Sequence, residues 1–205
     1  YADELKANGF LGTTFKANFD GKSFSVTVPV PGLHMVYNAM AAVVCGCLLG
    51  MKEEEISEGI GELQTISGRN NFIKTDKITI IDDCYNANPM SMKASLSVLD
   101  NAEGRTVAIL GDMFELGEDE ASLHYEVGLE AKKLGTDVIV AVGELSKNIY
   151  DGAVTDDSSK SYFYFKTKEE MLGEIKNVIQ EGDTVLVKAS HGMGFSEVVE
   201  VLKEI

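Results

Sequence analysis

The sequence predicts an α/β fold, a Rossmann-like, mostly parallel sheet flanked by helices, preceded by a smaller unit of one hairpin and two helices. Three observations predict it. Short apolar, β-branched runs recur at residues 78–82, 106–111, 137–142, 161–165 and 184–189, each followed by a longer segment of helical period. Such alternation calls for parallel strands joined by right-handed crossovers. Three of these runs end abruptly in polar clusters, as strands do where an open α/β sheet meets its ligand. The first 65 residues lack the alternation and carry hairpin signals instead.

In chain order, Thr13–Phe19 and residues 24–30 alternate apolar and polar about the turn pair Asp20-Gly21. Pro29-Val30-Pro31-Gly32 stops the second strand. Residues 34–49 read as a helix of small residues ending at Gly50, and residues 53–63 as a second helix. Thr65-Ile66-Ser67-Gly68-Arg69 is the linker, which places the domain boundary between residues 68 and 69, giving domains 1–68 and 69–205. A strand at 71–75 pairs at a sheet edge. Helices follow at 89–101, 118–134, 144–152, 167–180 and 193–204, the first opened by Pro89, whose missing N–H does no harm there. Residues 153–161 form a polar surface loop. The hairpin and two helices make a thin core for a domain, and Tyr1 is an unnatural start, so an upstream portion is expected.

Composition excludes several classes of function. The net charge of −15 argues against nucleic acid and against anionic membrane surfaces, both of which need a basic face. No apolar run approaches the ~20 residues of a membrane helix, and no signal peptide opens the chain. Three cysteines, an odd number, suit a reducing, cytoplasmic compartment rather than a disulfide framework.

No strand is followed by G-x-G-x-x-G, and no Walker A loop is present: Gly21-Lys22-Ser23 resembles its tail, but Lys16 stands where the upstream glycine is needed. Cys45 and Cys47, two apart on a helix, point in different directions and read as small core residues, not a metal site. His34, His124 and His191 are too widely spaced for zinc. No metal ligand set is assigned.

The chemistry gathers at the three polar strand ends, which parallel strands place on one rim. Asp82-Asp83-Cys84-Tyr85-Asn86-Ala87-Asn88 either lines a ligand or merely makes Asx-turns and caps the next helix. Gly111-Asp112-Met113-Phe114-Glu115-Leu116-Gly117 sets two acids between glycines, again open to a capping role. Lys188-Ala189-Ser190-His191-Gly192 ends a buried strand in a lysine, whose ammonium needs a partner. Acids, amides, one Lys and one His suit a phosphorylated ligand together with an amine. Arg69 either reaches over this rim or is an ordinary exposed linker arginine.

Together these residues resemble the C-terminal half of a Mur ligase. Pro31-Gly32-Leu33-His34-Met35-Val36-Tyr37-Asn38-Ala39-Met40-Ala41-Ala42 resembles the family's P-G-x-H-x-x-x-N-A-x-A-A segment at the end of its central ATPase domain. Ser67-Gly68-Arg69 resembles its interdomain linker. Residues 82–92 match D-D-x-Y-N-A-N-P-x-S-M, residues 111–117 match G-D-M-x-E-L-G with His124 following, and residues 188–193 are similar to K-G-S-R-G-M. The patterns at residues 82–92 and 111–117 resemble those of the branch that joins D-Ala-D-Ala to a UDP-MurNAc-tripeptide.

The resemblance implies an ATP-dependent amide ligase of peptidoglycan precursor synthesis, working with Mg²⁺ through an acyl phosphate. Residues 1–68 would be the remnant of the central ATP-binding domain and residues 69–205 the C-terminal ligase domain, a Rossmann-like lid. It implies Arg69 on the ATP phosphates and Asp83 on the ribose hydroxyls. Tyr85, Asn86 and Asn88 would line the nucleotide, with His34 and Asn38 near adenine. Asp112 and Glu115 would hold the incoming ammonium, with His124 and His191 beside the substrate. Lys188 and Ser190 would meet the dipeptide carboxylate or the acyl phosphate, Lys188 with Arg69 as catalytic residues. ATP and Mg²⁺ would be held mainly by a domain outside this chain, which alone would be inactive. The enzyme would be a cytoplasmic monomer. Leu33 and Met35 stand where the family has Arg and Asn, and Ala189 and His191 replace Gly and Arg. Another ligase of the family, a folylpolyglutamate-type ligase, and a non-enzymatic flavodoxin-like binding module remain the alternatives.

Overall fold

A computed structural model describes residues 1–205, which separate into two compact units, Tyr1–Thr65 and Ile66–Ile205. The linker segment is thus split, and Gly68 and Arg69 fold with the second unit.

The first unit is a three-stranded antiparallel sheet, β1 (Ala2–Ala7), β2 (Thr13–Phe19) and β3 (Lys22–Val28), covered by helices α1 (Leu33–Leu48) and α2 (Glu53–Gly61). Asp20 and Gly21 both take positive φ, 49° and 76°, as a two-residue hairpin turn matched to strand twist requires. Strand β1 is an addition to the expected hairpin. Its Ala-Asp-Glu-Leu-Lys-Ala sequence carries little apolar alternation because it is a mostly exposed edge, and its register slips between Asp3 and Lys6. Phe15, Ala17, Val26 and Val28 of the sheet bury against Val36, Ala39 and Val43 of α1 and Ile56 and Ile60 of α2. Cys47 packs at the margin of this core, but Cys45 is exposed, which corrects the reading of both as core residues. The exposed face of α1 is where the residue two positions before Cys47 falls.

The second unit alternates strand and helix: β4 (Asn71–Lys74), β5 (Thr79–Asp82), α3 (Pro89–Leu99), β6 (Thr106–Gly111), α4 (Glu120–Lys133), β7 (Val138–Val142), α5 (Lys147–Ala153), β8 (Ser161–Phe165), α6 (Lys168–Val178), β9 (Thr184–Lys188) and α7 (Ser196–Lys203). The six-stranded sheet runs β4-β5-β9-β6-β7-β8, parallel throughout except for β4, which pairs antiparallel with β5 at the edge. Helix starts are later than the periodicity suggests where the rim loops hold the first turn. α5 begins only after Ser146, whose N–H is bound by Asp112, and α7 waits for a 3₁₀ turn at His191–Met193 that ends in left-handed Gly194.

Both faces of the parallel sheet are buried, so the strands read as continuous apolar runs. Ile80, Val107, Ile109, Val138, Val140, Val185 and Val187 meet Met171 and Ile175 of α6 and Val198, Val199 and Leu202 of α7. The alternate residues, such as Ile81, Leu110, Ile139 and Leu186, are equally buried and lie beneath α3, α4 and α5. Helices α4 and α5 cross at two glycines. A Cβ on Gly128 would lie 2.1 Å from the Ile149 carbonyl oxygen, and one on Gly152 would lie 2.3 Å from that of Tyr125.

The chain leaves β5 and β6 toward α3 and α4 on one face, but leaves β9, which lies between them, toward α7 on the other. The loops therefore part at β9, and this topological switch point is where an open α/β sheet offers a crevice.

Candidate functional site

The polar ends of β5, β6 and β9 share one rim, with Asp82 aligned to Val187 and Leu110 to Lys188. At the end of β5, Asp82 is buried. Its Oδ2 accepts from the Gly68 N–H at 2.8 Å and from the Ser67 hydroxyl at 3.2 Å, while Oδ1 accepts from the Cys84 thiol at 3.1 Å. Burial first, and then the hydrogen bond to Asp82, push that thiol up to about 12.

Asp83 is the hub. Its Oδ1 accepts from the Asn70 N–H at 2.9 Å, and its Oδ2 from the Ser95 hydroxyl at 2.6 Å and the Lys188 ammonium at 2.6 Å. The same ammonium donates to the carbonyl oxygens of Asn86 at 3.0 Å and Asp83 at 3.3 Å. Lys188 thus spends its three protons on the protein and is buried. Both Asp83 oxygens already accept protein donors, and the Lys188 charge is paired below the surface.

Above this pair lies an open stack. The Arg69 guanidinium sits 4.0 Å from the centroid of the Tyr85 ring, a cation–π distance, and the His191 ring lies 5.5 Å from Tyr85, tilted by 48°. Arg69, Tyr85 and His191 are all exposed. Gly68 makes the stack possible. Its φ is +79°, its carbonyl accepts the Tyr85 N–H at 2.9 Å, and a Cβ there would lie 3.2 Å from that nitrogen. Asn86 is exposed and its side-chain oxygen accepts its neighbour Ala87's N–H, while Asn88 forms a reciprocal capping box with Ser91 at the start of α3. For Asn88 the helix-capping alternative is what the fold uses.

The β6 loop is tied down in the same way. Asp112 Oδ1 accepts from both the N–H and the hydroxyl of Ser146 at 2.7 Å, and its carboxyl lies so close over Gly143 that a Cβ there would be 2.3 Å from Oδ1. His124 is fully buried. Its Nε2 accepts the Met113 N–H at 2.9 Å, and Nδ1 lies 2.6 Å from the Glu120 carbonyl oxygen. This pattern assigns the neutral ring with the proton on Nδ1. His124 therefore shapes the loop from beneath, which corrects its expected place beside the substrate. Ser190 joins the two loops, its hydroxyl accepting the Phe114 N–H at 2.8 Å and its own N–H donating to the Asp112 carbonyl at 2.9 Å. Glu115 is exposed and adopts φ 62°, an uncommon conformation for a residue with a Cβ.

The fold thus gathers Arg69, Tyr85, Asn86, Asp112, Glu115, Lys188, Ser190 and His191 on one rim, with Asp83 at its centre. His34 and Asn38 lie on the exposed side of α1 in the first unit, where the Asn38 amide donates to the Met35 sulfur at 3.6 Å. The sequence marks Asp82 only as part of the polar cluster and D-D motif at a strand end, with no role of its own, and no local signal exists for Ser95 or Ser146. No group of three or more His, Cys, Asp or Glu side chains is arranged to hold a metal ion.

An open, mostly parallel sheet with a switch point at β9 and a charged, aromatic rim defines a Rossmann-like ligand-binding domain. The chain belongs to the Mur ligase family: the family described as Mur ligase, glutamate ligase domain, matches residues 68–191. It is 36% identical over 180 residues to the UDP-N-acetylmuramoyl-tripeptide–D-alanyl-D-alanine ligase of Bacillus subtilis (strain 168), covering 86% of this chain and 39% of that protein. It is 33% identical over 196 residues to the ligase of the same name from Escherichia coli (strain K12), covering 94% and 42%. Among solved structures, MurF from Acinetobacter baumannii has a TM-score of 0.90 at 33% identity, over 100% of this chain and 44% of that one. The chain spans about two fifths of the length of these curated relatives.

Proposed function

We propose that this chain is the C-terminal portion of an ATP-dependent ligase that adds D-Ala-D-Ala to UDP-MurNAc-tripeptide in peptidoglycan precursor synthesis. Residues 1–68 are read as the end of the ATP-binding domain and residues 69–205 as the C-terminal ligase domain. The observation that carries the reading is Arg69, an exposed guanidinium held on a rim of a chain about one third identical, over most of its length, to ligases of that activity. A guanidinium so held stabilises charge that develops on a transferring phosphoryl group or a tetrahedral intermediate. Tyr85 and Asn86 flank the nucleotide. Glu115 receives the dipeptide ammonium, and Ser190 and Asp112 fix the loop that presents it. His191 adds a further donor to the rim. Closure over the acyl phosphate keeps water from it. His34 and Asn38 are assigned to the adenine side.

The rim offers Mg²⁺ no ligand set: the oxygens of Asp82 and Asp83 and Oδ1 of Asp112 already accept protein donors, and no three His, Cys, Asp or Glu side chains come together to hold an ion. No step is assigned to the ion here. No helix of the chain is long and apolar enough to cross a membrane, and the proposed enzyme is a cytoplasmic monomer.

The test is ADP release by the full-length protein. Turnover that requires ATP, the UDP-tripeptide and D-Ala-D-Ala together is the expected result. Turnover with diaminopimelate or glutamate in place of the dipeptide makes it another ligase of the family, and no turnover with any amine favours a non-enzymatic binding module. Arg69→Ala lowers turnover by about an order of magnitude or more; wild-type rates would sink the role given to this residue.

A further inference from the structure

Arg69 is gripped from both sides. The residue before it, Gly68, donates its N–H to Asp82 Oδ2 at 2.8 Å, and the residue after it, Asn70, donates its N–H to Asp83 Oδ1 at 2.9 Å. Consecutive strand residues point in opposite directions, so two adjacent carboxylates at the end of β5 can hold two N–H groups that flank a third residue. The Arg69 N–H itself returns to the Ile66 carbonyl at 3.1 Å, and the Gly68 carbonyl takes the Tyr85 N–H. Backbone anchors on each side fix the Arg69 backbone beside Tyr85, whose ring gives the guanidinium a stacking surface at 4.0 Å. The entropy of ordering it is then spent on folding and not on ligand binding. The buried cation in the network, Lys188, pairs with Asp83.

We propose that Asp82 and Asp83 form a clamp of positioning residues that sets Arg69 over Tyr85, and that Lys188 acts on Arg69 only through Asp83. The clamp is a structural claim. What Arg69 then meets, a phosphoryl or acyl-phosphate anion, rests on the function proposed above.

Two measurements on this 205-residue chain read the clamp directly. The Tyr85 ring current displaces the Arg69 side-chain protons upfield in the NMR spectrum, with Tyr85→Leu supplying the undisplaced baseline. Asp83→Asn, Asp82→Asn and Lys188→Met each lose this displacement while the sheet amides stay dispersed. Its survival in both Asp83→Asn and Lys188→Met overturns the proposal. In the unmodified chain the Gly68 and Asn70 amides exchange slowly with solvent; rapid exchange of both overturns it with no variant needing to fold.

A third measurement reads the coupling in the full-length ligase. Asp83→Asn lowers turnover, rescues poorly with added ATP, and costs nothing further once Arg69 is Ala. Multiplying losses would mean that Asp83 acts independently of Arg69 and would overturn that part of the claim. If Arg69→Ala is silent while the ring-current results hold, the clamp stands and the assigned function of Arg69 fails.

Discussion

Lys188 and Asp83, 105 residues apart in sequence, meet at 2.6 Å beneath the rim of the sheet. The pair joins the end of β9 to the loop after β5 across the switch point, and side-chain exposures of 3% and 16% leave little water to screen it. A buried ammonium with three acceptors and a carboxylate with three donors satisfy each other, which is the condition under which a buried ion pair is tolerable.

Removing one partner is therefore costly. Lys188→Met leaves the largely buried Asp83 carboxylate without its cation and destabilises the chain by about 3 kcal/mol. Urea unfolding measures this as a lower midpoint at unchanged slope. The Asp83→Asn, Lys188→Met double variant loses less than the sum of the two single changes, because the uncompensated charge is gone. Additive losses would show that the pair is not coupled.

His124 holds the β6 loop by accepting the buried Met113 N–H. His124→Phe keeps the ring volume but strands that donor at about 1–3 kcal/mol. His124→Gln, which can still accept, recovers part of it. Thermal unfolding of the two variants separates the hydrogen bond from the packing, and equal melting temperatures would assign the whole effect to packing.

At the α4–α5 crossing, Gly128→Ala places a methyl 2.1 Å from a backbone carbonyl that cannot rotate away. The helices must move apart, at a cost of about 1–3 kcal/mol or more. Gly173→Ala, on α6 with open space around its Cβ, is the control and is expected to stabilise slightly. A Gly128→Ala variant as stable as the control would rule out the close crossing.

The cysteines separate by reactivity. Cys45 is exposed and alkylates readily near pH 8, whereas Cys84, buried and held to about 12 by burial and Asp82, stays a thiol and reacts only as the chain opens. The sign of the linkage follows. The folded thiol lies above its ordinary 9.0, so its contribution to stability is fully present below pH 9 and is lost as the pH rises toward 12. Cys84→Ser blunts that alkaline loss. Iodoacetamide labelling followed by peptide mass mapping checks the order, and equal labelling rates would contradict the burial of Cys84.

Much of the architecture was legible in the sequence. The five parallel strands announce themselves as apolar runs because they are buried on both faces, and β4 as a short edge. β1 was illegible because an exposed edge strand needs no apolar pattern. In the site, the polar strand ends marked the rim, but not which of their groups face a ligand. Asp83, Lys188 and His124 have the right chemistry and are already committed to protein partners, whereas Arg69, one isolated linker arginine, stays open on the rim.

The sequence by itself determined the strand–helix alternation, the turn at Asp20-Gly21, the start of α3 at Pro89 and the family, because period, propensity and motif order are local properties of the chain. Only the tertiary structure decided the strand order that inserts β9 between β5 and β6, and with it the pairing of Lys188 with Asp83 and the grip of Asp82 and Asp83 on either side of Arg69. Hydrogen bonds and ion pairs are won by whichever partners the folded backbone brings within about 3 Å, and no spacing along the chain records that proximity.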